Sequence, residues 1–224
     1  MDMMFNIQKA HEAQRRLCQK LILQDELPEK IQYVAGVDTA YWKDTAICAV
    51  AVLHYPSMKK AEVHIESCKV LFPYVPTLLS FRETPPSLLC IRKLELQPDI
   101  FLVDGHGYAH PFRCGFASHL GIVLKKPTTG VAKSRLTGDT RGESEFSDVR
   151  LLMDMDEIIG AEATTTHGVK PVYVSIGHKV SLKTAIEIVK NCTVSSRIPE
   201  PLLIAHRKAT DEIRKLNSAR TNKN

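Results

Sequence analysis

Ile31-Gln32-Tyr33-Val34-Ala35-Gly36-Val37-Asp38-Thr39-Ala40-Tyr41-Trp42 is an apolar, β-prone run broken at one place by a carboxylate. An ionised carboxylate inside a half-buried strand loses solvation unless a cation or hydrogen-bond donors replace the water. Asp38 is therefore both the marker of a strand that belongs to the core and the first candidate for chemistry. Two further apolar runs follow, Ala46–Tyr55 and Ala61–Phe72, parted by Lys43-Asp44 and Pro56-Ser57. Gaps this short between β-prone runs predict an antiparallel meander.

Beyond Pro73-Tyr74-Val75-Pro76 the period changes. Thr77 is placed to cap a short helix through Glu83, and Pro85-Pro86 to end it and start a second helix through Lys93. Pro98–Asp104 reads as a compact strand ending on a second carboxylate, after which Gly105, Gly107 and Pro111 exclude a helix. Ala117–Leu124 is expected to be helical and Thr128–Ala132 a short strand. Leu136–Arg150 is polar and reads as a surface excursion, with late strands at Ile158–Thr165 and Val172–Ser175. Asn6–Leu23, Ser181–Lys190 and Pro201–Leu216 have helical spacing. Strands first, then strand–helix alternation, predict an α/β fold: a mixed sheet flanked by helices, in one domain over residues 1–224.

Composition excludes several classes. The 224 residues are 44% apolar and 25% charged, which argues against a disordered or collagenous chain. No apolar run is long enough for a membrane span. Residues 1–14 lack the basic-then-apolar order of a secretory signal, so a cytoplasmic location is expected, with nuclear access if the source is eukaryotic. The six cysteines form no CxxC pair and read as reduced intracellular thiols. The net charge is +5, and from Arg197 onward seven basic and three acidic residues supply +4 of it. Such a balance permits a polyanionic partner without demanding one. No heptad is long enough for a coiled coil, and a monomer is expected.

Asp38, Glu83 and Asp104 come from separate predicted elements. Converging, they would suit hard divalent cations; magnesium takes one or two carboxylates per ion, and substrate phosphate oxygens complete its shell. Such a site supports attack of water on a phosphodiester. Singly, each also fits a plainer role: Asp38 as a turn acceptor, Asp104 as a cap, Glu83 as the partner of a surface cation. Small residues in Gly105-His106-Gly107-Tyr108-Ala109-His110-Pro111 would let backbone approach a ligand. His106, His110 and His119 raise zinc, but their spacing is not that of a zinc site. Leu202, Ala209 and Ile213 are helical neighbours of His206 and put it on an apolar face. Asp154-Met155-Asp156-Glu157 reads as a solvated face.

The ordered stretches Val34-Ala35-Gly36-Val37-Asp38, Phe72-Pro73-Tyr74-Val75-Pro76, Phe81-Arg82-Glu83, Val103-Asp104-Gly105-His106-Gly107 and Ala109-His110-Pro111 resemble the endonuclease V family. The resemblance continues through Gly115–Gly121, Gly130–Ser134, Val174–His178 and Arg197–Pro201. It implies an RNase H-like fold and a nuclease acting on inosine-containing nucleic acid. Asp38, Glu83 and Asp104 match the family's metal-binding catalytic residues, Lys133 an active-site lysine, and His206 a histidine near the metals. The implied cofactor is Mg2+, with Mn2+ able to substitute. Tyr74 matches a wedge residue in a loop stiffened by Pro73 and Pro76. The implied substrate-binding set is Pro73, Tyr74, Val75, Pro76, Thr77, Gly105, His110, Gly115 and Phe116. The implied activity is recognition of deoxyinosine and cleavage of the second phosphodiester bond 3′ of it, in single- or double-stranded DNA. Two alternatives stand beside it: inosine-containing RNA as substrate, and a non-catalytic binder of damaged or branched nucleic acid.

Overall fold

In a computed structural model, residues 6–166 and 168–221 are described. β1 (Tyr33–Trp42) pairs antiparallel with β2 (Thr45–His54), and β2 with β3 (Lys60–Lys69). This is the meander the two short gaps predict. On its other edge β1 takes β4 (Ile100–Asp104) in parallel, and β4 takes β5 (Thr128–Ala132) in parallel. β9 (Val172–His178) pairs antiparallel with β5 and with β8 (Glu157–Ala163). β7 (Val149–Asp154) and β6 (Asp139–Glu143) complete a nine-stranded sheet in the order β3-β2-β1-β4-β5-β9-β8-β7-β6.

Helices cover both faces. α5 (Glu200–Thr221) packs on β1 and β2, and α4 (Leu182–Asn191) on β9 and β8. Leu202, Ala205 and Ala209 of α5 share one buried cluster with Val34, Ile47, Ala49 and Leu102. The alternate strand residues Ala35, Val37, Phe101 and Val103 point to the other face, against Cys90 of α2 (Leu79–Ile91) and Phe116 and Leu120 of α3 (Phe116–Leu124). α1 (Ile7–Cys18) packs on α3, capped by the Asn6 side chain, which accepts from the Lys9 N–H at 3.0 Å. The period-two alternation along β1 thus feeds two separate cores.

One glycine decides how closely α5 approaches the sheet. A Cβ at Gly36 would lie 2.2 Å from the Pro201 carbonyl carbon. Only a residue without a side chain lets the start of α5 sit directly on β1.

Five expectations need correction. The two short helices around Pro85-Pro86 are one continuous helix, α2, with both prolines inside it. Proline's fixed φ is itself helical, and its cost is the lost backbone bond. Here Ser80, Glu83, Thr84 and Ser87 are all buried, and that packing holds the helix through the interruption. Thr77 does not cap it: the cap position is Leu78, with no side-chain bond. The polar stretch 136–150 is not an excursion but contains β6, an edge strand with one face in water, whose polarity hides it. α1 ends at Cys18 rather than Leu23, and β9 runs on to His178 rather than stopping at Ser175. Among the described residues no helix is long and apolar enough to cross a membrane.

Candidate active site

Register brings the first two carboxylates together. In the parallel pairing of β1 with β4, Val37 lies opposite Val103. Asp38 and Asp104 are the next residue on each strand, so both stand on the α5 face at the carboxyl edge of the parallel pair, where α/β folds place their sites. α5, seated on Gly36, carries His206 over the same spot. Oxygens of Asp38 and Asp104 and a ring nitrogen of His206 all lie within 4.8 Å of one another.

Asp38 is 7% exposed. Its Oδ1 accepts the Thr39 N–H at 2.9 Å, and its Oδ2 accepts from His206 Nδ1 at 2.7 Å. Burial, and then the charge of Asp104, raise its carboxyl above the ordinary range. Lys133, the residue after β5, contacts Asp104 Oδ2 through its ammonium. His206 is not the apolar-face residue its helical neighbours suggest: its side chain is 52% exposed. α5 crosses the sheet where β1 leaves the core, and there that helix face overhangs the acidic centre rather than apolar side chains.

Glu83 reaches the centre from α2, in the opposite helix layer, and stands outside the 4.8 Å cluster. Tyr41 Oη donates to its Oε1 at 3.2 Å, and the Arg82 guanidinium covers the Tyr41 ring at 4.3 Å from the centroid. Burial, and then the charge of Asp38, push the Glu83 carboxyl up to about 8. Asp38 and Glu83, both held toward the protonated form, stand with Asp104 in an oxygen-rich donor set. A hard divalent cation is what such a set fits.

Beside this centre lies a cavity of about 210 Å3, smaller than the roughly 300–1,000 Å3 of pockets that take drug-sized ligands. One wall is Tyr74, Val75, Pro76 and Thr77; the other is Gly105, His106, His110, Gly115 and Phe116. Ser134, Arg135 and Leu136, following Lys133, close it. Every residue of the substrate-binding set except Pro73 lines it. Tyr74 is 69% exposed at the mouth.

The second wall is folded back tightly. A Cβ at Gly115 would meet the His106 carbonyl oxygen at 2.3 Å. His110 is buried, its Nδ1 accepts the Phe112 N–H at 3.1 Å, and burial drives its pKa down to about 4, so it is neutral near pH 7. Arg113 fastens the loop to the β7–β8 turn, donating to Glu157 at 2.7 Å and to Asp154 at 2.9 Å. The acidic Asp154–Glu157 turn therefore anchors the pocket loop rather than being merely solvated. His119 is buried, set edge-on to Phe81 with centroids 5.0 Å apart, and burial drives it down to about 4 as well. His178 accepts the Ile22 N–H at 3.2 Å, a structural bond. Sequence reasoning missed Tyr41, because nothing in a strand pattern reveals that its hydroxyl meets a helix residue 42 positions on.

A nine-stranded mixed sheet with helices on both faces, carrying an acidic centre where its first strand parts from that strand's parallel neighbour, defines an RNase H-like protein. The chain belongs to the Endonuclease V family, whose model matches residues 15–207, and is on that ground a nuclease. It is 44% identical to an endonuclease V of Thermofilum pendens over 92% of this chain and 88% of that one. With an endonuclease V of Trichormus variabilis it shares 45% identity over 92% of this chain and 94% of that one. The crystal structure of the Streptomyces avermitilis enzyme superposes with a TM-score of 0.87 at 33% identity, covering 95% of each chain. That of the Ciona intestinalis endonuclease V, in complex with DNA containing an inosine followed by a ribo-adenosine, superposes with a TM-score of 0.83 at 34% identity, covering 94% of this chain and 98% of that one.

Proposed function

We propose that this chain is a Mg2+-dependent endonuclease that recognises deoxyinosine in DNA and hydrolyses the second phosphodiester bond 3′ of it, as one catalytic domain over residues 1–224 and as a monomer. The observation that carries the reading is the approach of Asp38, Asp104 and His206 to within 4.8 Å beside a base-sized cavity. Asp38 and Asp104, with Glu83, would hold the ion; Mn2+ can take its place. Bound there, the ion supplies polarisation of the phosphate and a water of lowered pKa.

The chain's own side chains do the rest. His206 holds Asp38 through Nδ1 and fixes the orientation of its carboxylate. Lys133 carries a positive charge at the edge of the centre, where it meets the scissile phosphate and offsets charge developing on it. Tyr74 fills the gap left in the stack by the extruded base, whose removal costs least where pairing is weak. Backbone around Thr77, Gly105, Gly115 and Phe116 reads the hypoxanthine edge. The base is recognised and not removed.

Incubation of a strand bearing one deoxyinosine with Mg2+ tests this. A single nick at the second bond 3′ of the lesion, lost in Asp38→Ala, is expected; an intact strand, or nicking unchanged in the variant, overturns it. A second reading has a specific ground, the inosine followed by a ribo-adenosine in the DNA bound by the Ciona relative. Paired oligonucleotides differing only in the sugar around one inosine separate DNA from RNA cleavage.

A further inference from the structure

The two walls of the cavity come from segments some forty residues apart, and the sheet joins neither directly to the other. A side chain of the first helix ties them to each other. Gln14 of α1 is fully buried. Its Nε2 donates to the Thr77 carbonyl at 2.9 Å and to the Cys114 carbonyl at 2.7 Å. Thr77 ends the Tyr74 wall, and Cys114 immediately precedes Gly115 and Phe116 of the other wall. One amide group thus spans the two sides with both of its hydrogens.

Two further observations show that the clamp holds something against resistance. Thr77 has a φ of 71°, a left-handed conformation costly for a β-branched residue and kept only where surroundings over-determine it. Gln14 Oε1 is buried with no hydrogen-bond partner among the described residues. A buried amide with an orphaned oxygen costs free energy, so the two bonds made by its nitrogen are what retain it there. His110 reinforces the same point: its Nδ1 is an acceptor, which leaves Nε2 to carry the proton, and its ring bonds to the Thr77 backbone.

We propose that Gln14 is a positioning residue for base recognition: it sets the width of the base pocket by tying the Tyr74 loop to the Gly115 turn, and touches neither the base nor the acidic centre. This rests on the reading of the cavity as a hypoxanthine pocket. Gln14→Met keeps length and volume and removes both donors; Gln14→Glu keeps the shape and sets oxygens against two carbonyl oxygens.

In wild type and both variants, KM and kcat are measured on a single-stranded oligonucleotide with one deoxyinosine and on the same strand with deoxyadenosine. Hydrogen exchange of segments 74–78 and 113–116 is followed alongside. The expected result is a KM for the deoxyinosine strand raised about tenfold, as loss of one or two buried hydrogen bonds implies, with kcat within about twofold and selectivity over deoxyadenosine reduced. Exchange should rise in both segments together. A merely structural role would lower the active fraction, and so kcat on every substrate alike, without moving KM. Unchanged exchange in both segments, or unchanged KM in an enzyme that nicks at deoxyinosine, overturns the clamp. A wild-type protein that ignores deoxyinosine while the variants still loosen both segments overturns the pocket's assignment and leaves the clamp standing.

Discussion

The acidic centre and the cavity beside it are built in opposite ways. Asp38 and Asp104 are placed by backbone register: two parallel strands in step put two carboxylates at one level, and neither side chain has to travel. The pocket is made of loops, and loops keep no register of their own. Its walls are held by isolated side-chain bonds, from Gln14 to Thr77 and Cys114 and from Arg113 to the β7–β8 turn. The proposed function puts the chemistry on the rigid element, where small displacements are most costly. It puts recognition on loops whose shape can change while the sheet stays as it is.

That division predicts which substitutions act on which property. Gly36→Ala attacks the centre through the fold. With a Cβ 2.2 Å from Pro201, α5 must lift away, so a loss of about 3 kcal/mol in chemical denaturation is expected from overpacking alone. Activity should fall beyond the loss of folded protein, because His206 leaves Asp38; a variant of full stability would show that α5 is not seated on this glycine. Tyr74→Ala attacks the pocket. Losing one base–aromatic stack should weaken binding of deoxyinosine DNA by about tenfold, read as a raised KM with kcat within about twofold. Tyr41→Phe should do the reverse. It removes the donor to Glu83 Oε1, and a drop of about fivefold in kcat at constant KM is expected from one buried hydrogen bond.

The last effect concerns pH. The folded-state pKa of His119 is lowered to about 4, against about 6.5 in an unfolded chain. Between those values the unfolded state binds more protons, so stability rises with pH across the window and is lost as pH falls from 6.5 to 4. His119→Leu should remove one proton from that dependence, lowering the slope by about 1.4 kcal/mol per pH unit. Urea midpoints between pH 4 and 7 read it directly, and an unaltered slope would place the titration elsewhere.

The same contrast explains what the sequence revealed. The meander, the parallel strand ending at Asp104 and the helices after it were legible, because strands announce themselves by apolar runs and by the glycines and prolines that end them. Asp38 and Asp104 stood out as charges where a core strand should have none. β6 was illegible, since an edge strand with one face in water looks like a loop. α2 was misread, since Pro85-Pro86 breaks most helices and only burial of Glu83 and its neighbours shows why this one continues. Helical periodicity alone misplaced His206, because it cannot tell where the helix leaves the core, whereas the family resemblance put it near the acidic residues. The Gly105–Pro111 wall was legible from its small residues, while the Tyr74 wall and the Gly115 turn came only from family resemblance; the bonds of Gln14, 63 and 100 residues away along the chain, have no local signature at all.

The most direct test is a crystal soaked in Mn2+ and recorded at a wavelength where the ion scatters anomalously. A peak within coordination distance of both the Asp38 and Asp104 carboxylates, and absent in Asp38→Asn, is the expected result. Density bound elsewhere, or none at these two carboxylates in a well-diffracting crystal, would contradict the account of this sheet edge as a metal-dependent phosphodiesterase centre.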